Sequence, residues 1–431
     1  MATADYEAVP SVPREESPPR VGTVVMKFGG SSVADPEKLK AVARRIVAAR
    51  ESGGRVVAVL SAMGDTTDEL IDLAHQVSPN PDPRELDMLI SVGERISCAL
   101  AAMAIHDLGH EAISLTGSQA GIVTDTVHTK AKIVDIRARR IHEALDEDKI
   151  VLVAGFQGVS TGLEITTLGR GGSDTTAVAL AAALGADSCE IYTDVEGVYT
   201  ADPRLVPGAC KLPAVTYEEM LEMSASGARV MALRSVEFAR NHGVRLHVRS
   251  TFTGLPGTWI QEEDERMLEK AIISGVTHDT SEAKVTIFGV PDRPGIAARI
   301  FRALADAGVN IDMIVQNVSA QGHTDISFTL PKTDLQAAEP ILERVAAEIG
   351  AAGYTKDPEI AKISLIGAGM KSHPGIAADM FDALAREEIN IEIISTSSIR
   401  ISCVVRAEEV ERAVQAVHRQ FELVAAERSG A

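Results

Sequence analysis

Up to about residue 260, two kinds of apolar pattern alternate along the chain. Short runs such as Val56-Val57-Ala58-Val59-Leu60 and Ile150-Val151-Leu152-Val153-Ala154-Gly155-Phe156 are apolar at nearly every position. That is the pattern of a strand covered on both faces in a parallel sheet. Residues 21–28 read as a first strand and Gly29-Gly30-Ser31-Ser32 as a turn; Asp35-Pro36 caps a helix that runs to about Glu51 and stops at Gly53-Gly54. Residues 85–107 are helical by period, with Leu86, Leu89, Ile90, Gly93, Ile96, Leu100 and Met103 on one stripe and Glu94 beside it. Strands recur at Leu115 and at residues 151–156, 190–193 and 245–248, alternating with helices, which predicts an α/β layered domain.

The run Glu262-Glu263-Asp264-Glu265-Arg266 reads as a linker, and beyond it the chain repeats itself. Ala283-Lys284-Val285-Thr286-Ile287-Phe288-Gly289, Pro294-Gly295-Ile296-Ala297-Ala298 and Asn310-Ile311-Asp312 make one copy. Ala361-Lys362-Ile363-Ser364-Leu365-Ile366-Gly367, Pro374-Gly375-Ile376-Ala377-Ala378 and Asn390-Ile391-Glu392 make the other. The offset grows from 78 to 80 residues, so the second copy carries two extra residues near Lys371-Ser372. Each copy predicts strand, turn, helix, strand, strand, helix: a small α+β module.

A length of 431 residues predicts two or three domains, and 45% apolar with 24% charged residues describes a globular protein. Only 3% of residues are aromatic, so the cores are expected to be aliphatic. A net charge of −19 argues against nucleic acid and against an anionic membrane surface. Any phosphate must then be held by local glycines, lysines and metal. Cys98, Cys189, Cys210 and Cys403 are scattered without metal-like spacing and read as reduced thiols in a cytoplasm. No apolar run long enough to span a bilayer and no signal peptide is expected, and residues 1–22, rich in Pro, Glu and Ser, read as a disordered lead-in.

The richest chemistry lies in Leu168-Gly169-Arg170-Gly171-Gly172-Ser173-Asp174-Thr175-Thr176-Ala177, between a buried-strand run and an alanine-rich helix that ends at Gly185. Its glycines allow close backbone approach, and the helix start offers free amides to an anion. Arg170 can fork onto a carboxylate or phosphate, and Asp174 can orient a cation or a metal. Lys27-Phe28-Gly29-Gly30-Ser31-Ser32 is not a Walker A loop but has its logic: a lysine beside glycine amides that can cradle a phosphoryl group. Ser61, Thr66 and Thr67 follow the second strand, where hydroxyls either hold a small carboxylate or cap a helix. Glu94, costly to bury unpaired, pairs with a substrate ammonium, pairs with Arg95, or lies on a solvated face. The stretch from Ile191 to Arg204 is either a hairpin or a nucleotide loop, with Tyr199 against the base, Arg204 near phosphate and Asp194 and Asp202 near ribose or metal.

Together these stretches resemble the amino-acid kinase family, and within it the aspartokinases of the actinobacterial lysine/threonine-regulated type. Residues 27–32, 61–70, 93–97, 116–121, 155–159, 166–184 and 190–204 carry the resemblance, which covers nearly the whole chain from about Val21 to Leu423. The repeat is similar to paired ACT modules, the amino-acid-sensing domains of these kinases. The resemblance implies an amino-acid kinase fold, a mainly parallel sheet sandwiched by helices, over residues 23–260. A linker at 261–270 and two βαββαβ ACT modules at 271–357 and 358–424 would follow, with a tail at 425–431. It implies transfer of the ATP γ-phosphoryl group to the β-carboxylate of L-aspartate with Mg²⁺, the first step toward lysine, threonine and methionine. Lys27, Asp174, Gly29 and Gly30 would be catalytic, and Ser61, Thr67, Glu94, Arg170 and Ser173 would hold aspartate. Lys27, Phe28, Gly29, Gly30, Thr193, Asp194, Tyr199, Asp202, Arg204 and Arg229 would hold ATP. No protein metal ligand set is implied. Asp292, Asn310, Gln316 and Ser398 would bear on a lysine or threonine effector, and the ACT modules would join copies into dimers or tetramers. Met267 is a candidate start for a separate regulatory polypeptide, the alternative to a homo-oligomer. A kinase for glutamate, acetylglutamate or a nucleotide, and a catalytically weak sensor, are disfavoured by Glu94, by the paired modules and by the joint presence of Lys27, Arg170 and Asp174.

Three positions depart from the resemblance. Arg229 stands where these kinases usually carry lysine, and Ile296 and Ser398 where the actinobacterial type usually carries glutamate. Loss of two carboxylates from the sensing modules predicts weakened recognition of a cationic effector.

Overall fold

The computed structural model describes residues 22–263, 273–317, 322–370, 373 and 375–423. Residues 1–21 of the expected lead-in, most of the linker with Met267, the extra residues Lys371-Ser372 and the tail lie outside the described residues. In the N-terminal part the elements run β1 (Thr23–Phe28), α1 (Pro36–Glu51), β2 (Arg55–Leu60), α2 (Thr66–Val77), α3 (Pro83–Ile90), α4 (Val92–Asp107), β3 (Ala112–Leu115), β4 (Ile122–Thr124), β5 (Ile133–Ile136), α5 (Arg139–Asp146), β6 (Ile150–Ala154), β7 (Gln157–Ser160), β8 (Ile165–Thr167), α6 (Gly172–Leu184), β9 (Ser188–Thr193), β10 (Ala214–Thr216), α7 (Tyr217–Ala225), α8 (Leu233–His242), β11 (Leu246–Ser250) and β12 (Thr258–Gln261).

Eight strands form one sheet in the order β10-β12-β11-β9-β1-β2-β6-β3, parallel except where β11 meets β12. The near-continuous apolar runs are explained by burial on both faces. Val57, Val59, Val151 and Val153 enter one core with α5, α6 and α8, while Val56, Ala58, Leu60, Leu152 and Ala154 enter another with α1 and α4. Asp35 caps α1 by accepting from the Lys38 amide at 2.8 Å, with Pro36 in the first turn. A second sheet, β5-β4-β7-β8, stands beside the first; its short strands are hidden among loop-like residues in the sequence.

The helix expected over 85–107 is two helices that meet at Ser91, whose carbonyl accepts from Gln157 Nε2 at 2.6 Å. Its burial also runs the other way. Gly93, Glu94, Ser97, Cys98, Ala101, Ala102 and Ile105 face the core, while Ile96, Leu100 and Met103 are exposed. Small residues face inward because α4 lies close to the sheet and to the loop after β2: a Cβ at Gly93 would fall 2.6 Å from that of Ala62. The stretch Pro83–Asp107 is also, by length and composition, apolar enough to cross a bilayer, against the expectation that no such run exists; half of its most apolar window is buried in the protein.

Beyond the linker come β13 (Gly275–Asp279), β14 (Glu282–Pro291), α9 (Ile296–Asp306), β15 (Ile314–Gln316), β16 (His323–Pro331), α10 (Leu335–Ile349), β17 (Gly353–Asp357), β18 (Ile360–Ile366), α11 (Ile376–Arg386), β19 (Ile393–Thr396), β20 (Arg400–Arg406) and α12 (Val410–Gln420). The first module is βαββαβ with sheet β15-β16-β14-β17. The second runs βαββα, and its fourth strand is β13, from before the first module, giving β13-β18-β20-β19. Met313, Ile360, Ile393 and Val404 form a small core between the modules. Equivalent lysines of the repeat cross over there. Lys284 pairs with Glu392 of the second module, and Lys362 with Asp312 of the first.

Candidate active site

Ligands of open parallel sheets sit at the carboxyl ends of the strands. Here the loops after β1 and β2, the turn after β6 and the start of α6 enclose a cleft of about 260 Å³. Lys27, Gly29, Gly30, Ser61, Thr67, Glu94, Arg170, Ser173 and Asp174 all line it, with Phe156. Five separate stretches of sequence therefore converge.

Lys27, on β1, meets Asp174, in the first turn of α6, at 2.6 Å, and both are largely shielded from water. The ion pair spans β1 and α6, and it fixes the ammonium at the mouth of the glycine turns. Gly30 packs backbone to backbone on the next loop: a Cβ there would lie 3.0 Å from the Gly64 carbonyl. Of the two amides expected to cradle phosphate, Gly29 donates to the Tyr192 carbonyl at 3.3 Å and is committed to the sheet. Gly30 N–H has no acceptor among the described residues, and neither Ser173 nor Asp174 has an intrahelical acceptor for its amide. Gly171, in the left-handed region at φ 73°, turns the chain into α6. These free amides and the Lys27 ammonium give the cleft its capacity for anions.

Glu94 is 3% exposed. One carboxylate oxygen accepts from the Ala62 amide at 3.2 Å, and the other is buried with no partner among the described residues. Burial raises its pKa to about 7, against the pull of those backbone bonds and of Arg95. Of the readings left open by the sequence, the pairing with Arg95 is not made: that guanidinium binds Gln157 and Ser91. Glu94 is thus a buried acceptor awaiting a cation. Arg170 is exposed at the cleft rim with no partner among the described residues. Ser173 is buried, Ser61 and Thr67 are half-buried, and Thr66 bonds the Met63 carbonyl at 2.6 Å. The cleft therefore combines a buried carboxylate that favours an ammonium with charged and amide donors that favour carboxylate and phosphoryl groups.

The residues proposed for nucleotide divide. Phe28 is a core side chain, stacked 4.7 Å from Tyr192, and cannot face a ligand. Thr193 and Asp194 end β9 beside Gly29, bonded to each other at 3.0 Å. Tyr199 donates to Glu196 at 3.1 Å, and Asp202 holds Arg204 in a fork at 3.0 and 2.7 Å. That fork holds the Asp202 carboxyl below the usual carboxylate range. Arg229, exposed in the turn after α7, and Asp202 both lie near His278 of β13. None of Thr193, Asp194, Tyr199, Asp202, Arg204 and Arg229 lines the cleft.

Asp292, Asn310 and Gln316 are exposed on the first module, whereas Ser398 is exposed in the β19–β20 turn of the second. The structure therefore splits that group across two modules. Ile296 is buried in the first module's core at the start of α9 and is a packing residue, not a lost surface charge.

The sequence reading missed Asp87. Fully buried on α3, it accepts from His128 Nδ1 at 2.7 Å, from Thr167 Oγ1 at 2.5 Å and from the Thr129 amide at 3.1 Å. It anchors the strand that leads into Leu168-Gly169-Arg170. A lone carboxylate between Leu86 and Met88 was the available signal.

Comparison with known proteins follows the same division. The family model for the amino acid kinase family matches residues 22–250, and ACT domain models match residues 284–350 and 363–421. Aspartokinase of Mycolicibacterium smegmatis is 57% identical, covering 93% of this chain and 96% of its own length. Aspartokinase of Corynebacterium glutamicum is 55% identical over the same shares. Among solved structures, E. coli aspartokinase III in complex with aspartate and ADP superposes with a TM-score of 0.79 at 24% identity, over 92% of this chain and 99% of that one. Aspartate kinase from Synechocystis is 43% identical, with a TM-score of 0.53, over 95% of this chain and 71% of that one.

Proposed function

The chain belongs to the aspartokinases of the amino acid kinase family, and we infer from that premise that its cleft carries the γ-phosphoryl group of ATP to the β-carboxylate of L-aspartate, giving 4-phospho-L-aspartate. The observation that carries the assignment of roles is the polarity of the cleft. Buried Glu94, one oxygen of which has no partner among the described residues, accepts the substrate α-ammonium, Arg170 forks onto a substrate carboxylate, and Ser173 and Thr67 complete the lining. Lys27 lies at the phosphoryl end, where its ammonium neutralises charge on the migrating group. The Gly30, Ser173 and Asp174 amides complete that cradle. The nucleophile is a carboxylate, already ionised at neutral pH, so no general base is required. Asp174 orients Lys27 and is the carboxylate available to Mg²⁺. Among the described residues no cluster of three or more His, Cys, Asp or Glu side chains is placed for a metal. One carboxylate suits an ion that is otherwise held by water and by the nucleotide phosphates. When bound, Mg²⁺ supplies further charge neutralisation to those phosphates.

We place ATP along the β9 approach, with Thr193, Asp194, Tyr199, Asp202, Arg204 and Arg229 as its contacts. The catalytic unit is taken as 23–260 and the regulatory modules as 271–357 and 358–424. The ACT modules support regulation by amino acids. Lysine and threonine are the proposed effectors, acting near Asp292, Asn310, Gln316 and Ser398, with response to lysine weakened by the one surface carboxylate missing at Ser398. We assign the protein to the cytoplasm, in keeping with four free cysteines, and to an assembly of two or four copies. Formation of aspartyl hydroxamate with ATP and Mg²⁺, and none with glutamate, tests the activity. Turnover of glutamate in preference to aspartate overturns it. Activity titrated against lysine, threonine and both tests the effectors.

A further inference from the structure

Arg170 stands between Gly169 and Gly171, both in the left-handed region at φ 78° and 73°. Neither neighbour has a side chain to pack, so the pose of Arg170 is set by whatever grips the turn at its ends. Thr167, just before the turn, is held by Asp87. The next grip is on the turn itself. Arg234, in the first turn of α8, donates from Nη1 to the Leu168 carbonyl at 3.2 Å and from Nη2 to the Ala131 carbonyl at 3.0 Å. Leu168 and Ala131 are buried, and among the described residues neither carbonyl accepts a backbone amide. One planar guanidinium thus ties the turn to the segment on which it lies, where a Cβ at Gly169 would stand 3.1 Å from the Thr129 carbonyl. The start of α8 also closes the other side of Arg170: a Cβ at Gly171 would fall 2.4 Å from that of Ala232.

We propose that Arg234 is a positioning residue for aspartate: it sets the turn from Leu168 to Gly171 so that Arg170 meets the substrate carboxylate. The proposal rests on the assignment of Arg170 to aspartate. Arg234 itself does not line the cleft, so it acts through the turn and not on the substrate. Three features favour positioning over general stitching. Arg234 is half-buried yet makes no ion pair among the described residues, and burial lowers its pKa, which Asp125 and Glu237 offset only in part. A cation that gives up water for two neutral carbonyls is a costly way to hold a helix to a loop. Its bonds go to backbone and not to side chains, so a displacement there reaches Arg170 through two peptide units. The two carbonyls meet a rigid fork, which specifies an orientation that a point charge on a flexible stem does not.

Steady-state kinetics and amide hydrogen exchange on the full-length protein test the proposal. Arg234→Met, which keeps the stem and loses both donors, should raise the aspartate KM about tenfold while kcat and the ATP KM move by less than about twofold. Arg234→Lys, which keeps the charge and reaches one carbonyl, should recover part of that loss. Arg240→Met, at an exposed position further along α8, should change none of the three. If Arg234 acts through Arg170, the two effects do not multiply. Arg234→Met with Arg170→Lys should then match Arg170→Lys alone within about twofold, where independent effects would reach about 100-fold. The peptide covering residues 167–173 should exchange its amides about tenfold faster in Arg234→Met, with or without turnover. An unchanged aspartate KM, a matching loss in kcat and both KM values, the same effect from Arg240→Met, or multiplied effects in the double variant overturns the proposal. Unchanged exchange in that peptide overturns it as well. A wild type that does not phosphorylate aspartate overturns the reading of the cleft instead, and the exchange then decides alone whether Arg234 holds the turn.

Discussion

Lys362 of the second ACT module, fully buried, holds the carboxylate of Asp312 in the first. The same ammonium meets Glu282 at 2.6 Å and lies 3.5 Å from the Ala225 carbonyl at the end of α7 in the kinase domain. Burial alone would lower the lysine's pKa, but the two carboxylates overcome it and the pKa is raised. The lysine is therefore charged across the neutral range, and three bodies meet on one cation. Lys362→Met leaves Glu282 buried and unpaired, which costs about 3–5 kcal/mol. Urea unfolding of the regulatory half is expected to move by that amount. Asp312 also sits between Asn310 and Gln316, so any effector response should weaken in the same variant while basal kinetics hold. Comparing inhibition by lysine plus threonine in the two proteins measures this.

Glu94 sets a pH dependence. Its pKa, raised to about 7 by burial, means that the form able to receive an ammonium is lost as pH falls through 7. The aspartate KM is expected to rise about tenfold per pH unit below that value, with kcat little affected. The stability effect has the opposite sign. Between about pH 4.5 and 7 the folded protein holds a proton here that the unfolded chain has released, so this group favours folding at low pH and opposes it above 7. Glu94→Gln should therefore be more stable than the parent at pH 8, by about 2–3 kcal/mol, while its KM for aspartate rises on the order of 100-fold. Parallel melting curves and KM measurements across pH separate the two effects.

How much of this was legible in the sequence depended on the range of the interactions. Asp35, Pro36 and the Gly29-Gly30 turn act over a few residues, and their elements follow the local pattern. The pieces of the cleft were also legible, because Lys27, Glu94 and Arg170 are chemically conspicuous in apolar or glycine-rich surroundings. The inward side of α4 was not. Period alone marks an apolar side, but Gly93 against Ala62 shows that close approach decided which side turned inward. Nor could Phe28 be assigned, since its partner Tyr192 is brought alongside only when β9 joins β1. The strand β13 joins the sheet of the second module across an intervening module, which no repeat in the sequence announces.

Arg170 has no partner among the described residues, so its removal should leave the fold untouched. Arg170→Lys keeps the charge and loses the fork. The aspartate KM should rise about tenfold, consistent with the loss of one charge-assisted bond worth about 1.5 kcal/mol. The ATP KM and the melting temperature should stay where they are. A rise in the ATP KM alone would move Arg170 to the nucleotide.

Lys27→Ala removes the ammonium at the phosphoryl end. A preorganised charge that acts on the transition state is worth about 3–4 kcal/mol, so kcat should fall at least several-hundredfold. Aspartate binding, followed by calorimetry, should survive, because Glu94 and Arg170 lie outside the ion pair. Lys27→Arg should recover little, since the planar guanidinium cannot keep the 2.6 Å contact with Asp174 in the same space.

Gly155 offers a test that adds one methyl group and no charge. It ends the run from β6, and a Cβ built there would stand 2.7 Å from Ser173 Oγ, 2.8 Å from Ser173 Cβ and 3.0 Å from Val59 Cγ1. Real contacts are not that close, so one side must move. Val59 is locked in the core beneath the sheet, whereas Ser173 sits in the first turn of α6 and borders the cleft. Gly155→Ala should therefore push Ser173, and with it the free amides of that turn, toward the substrate. Overpacking of this size costs about 1–3 kcal/mol in stability. The larger expected effect is on kcat/KM for aspartate, because a displacement near 1 Å at a reacting group can cost about 100-fold. Ser173→Ala in the same background separates the causes. If crowding of the hydroxyl is the fault, the double variant recovers stability but not full activity; if Val59 yields instead, the second change restores neither.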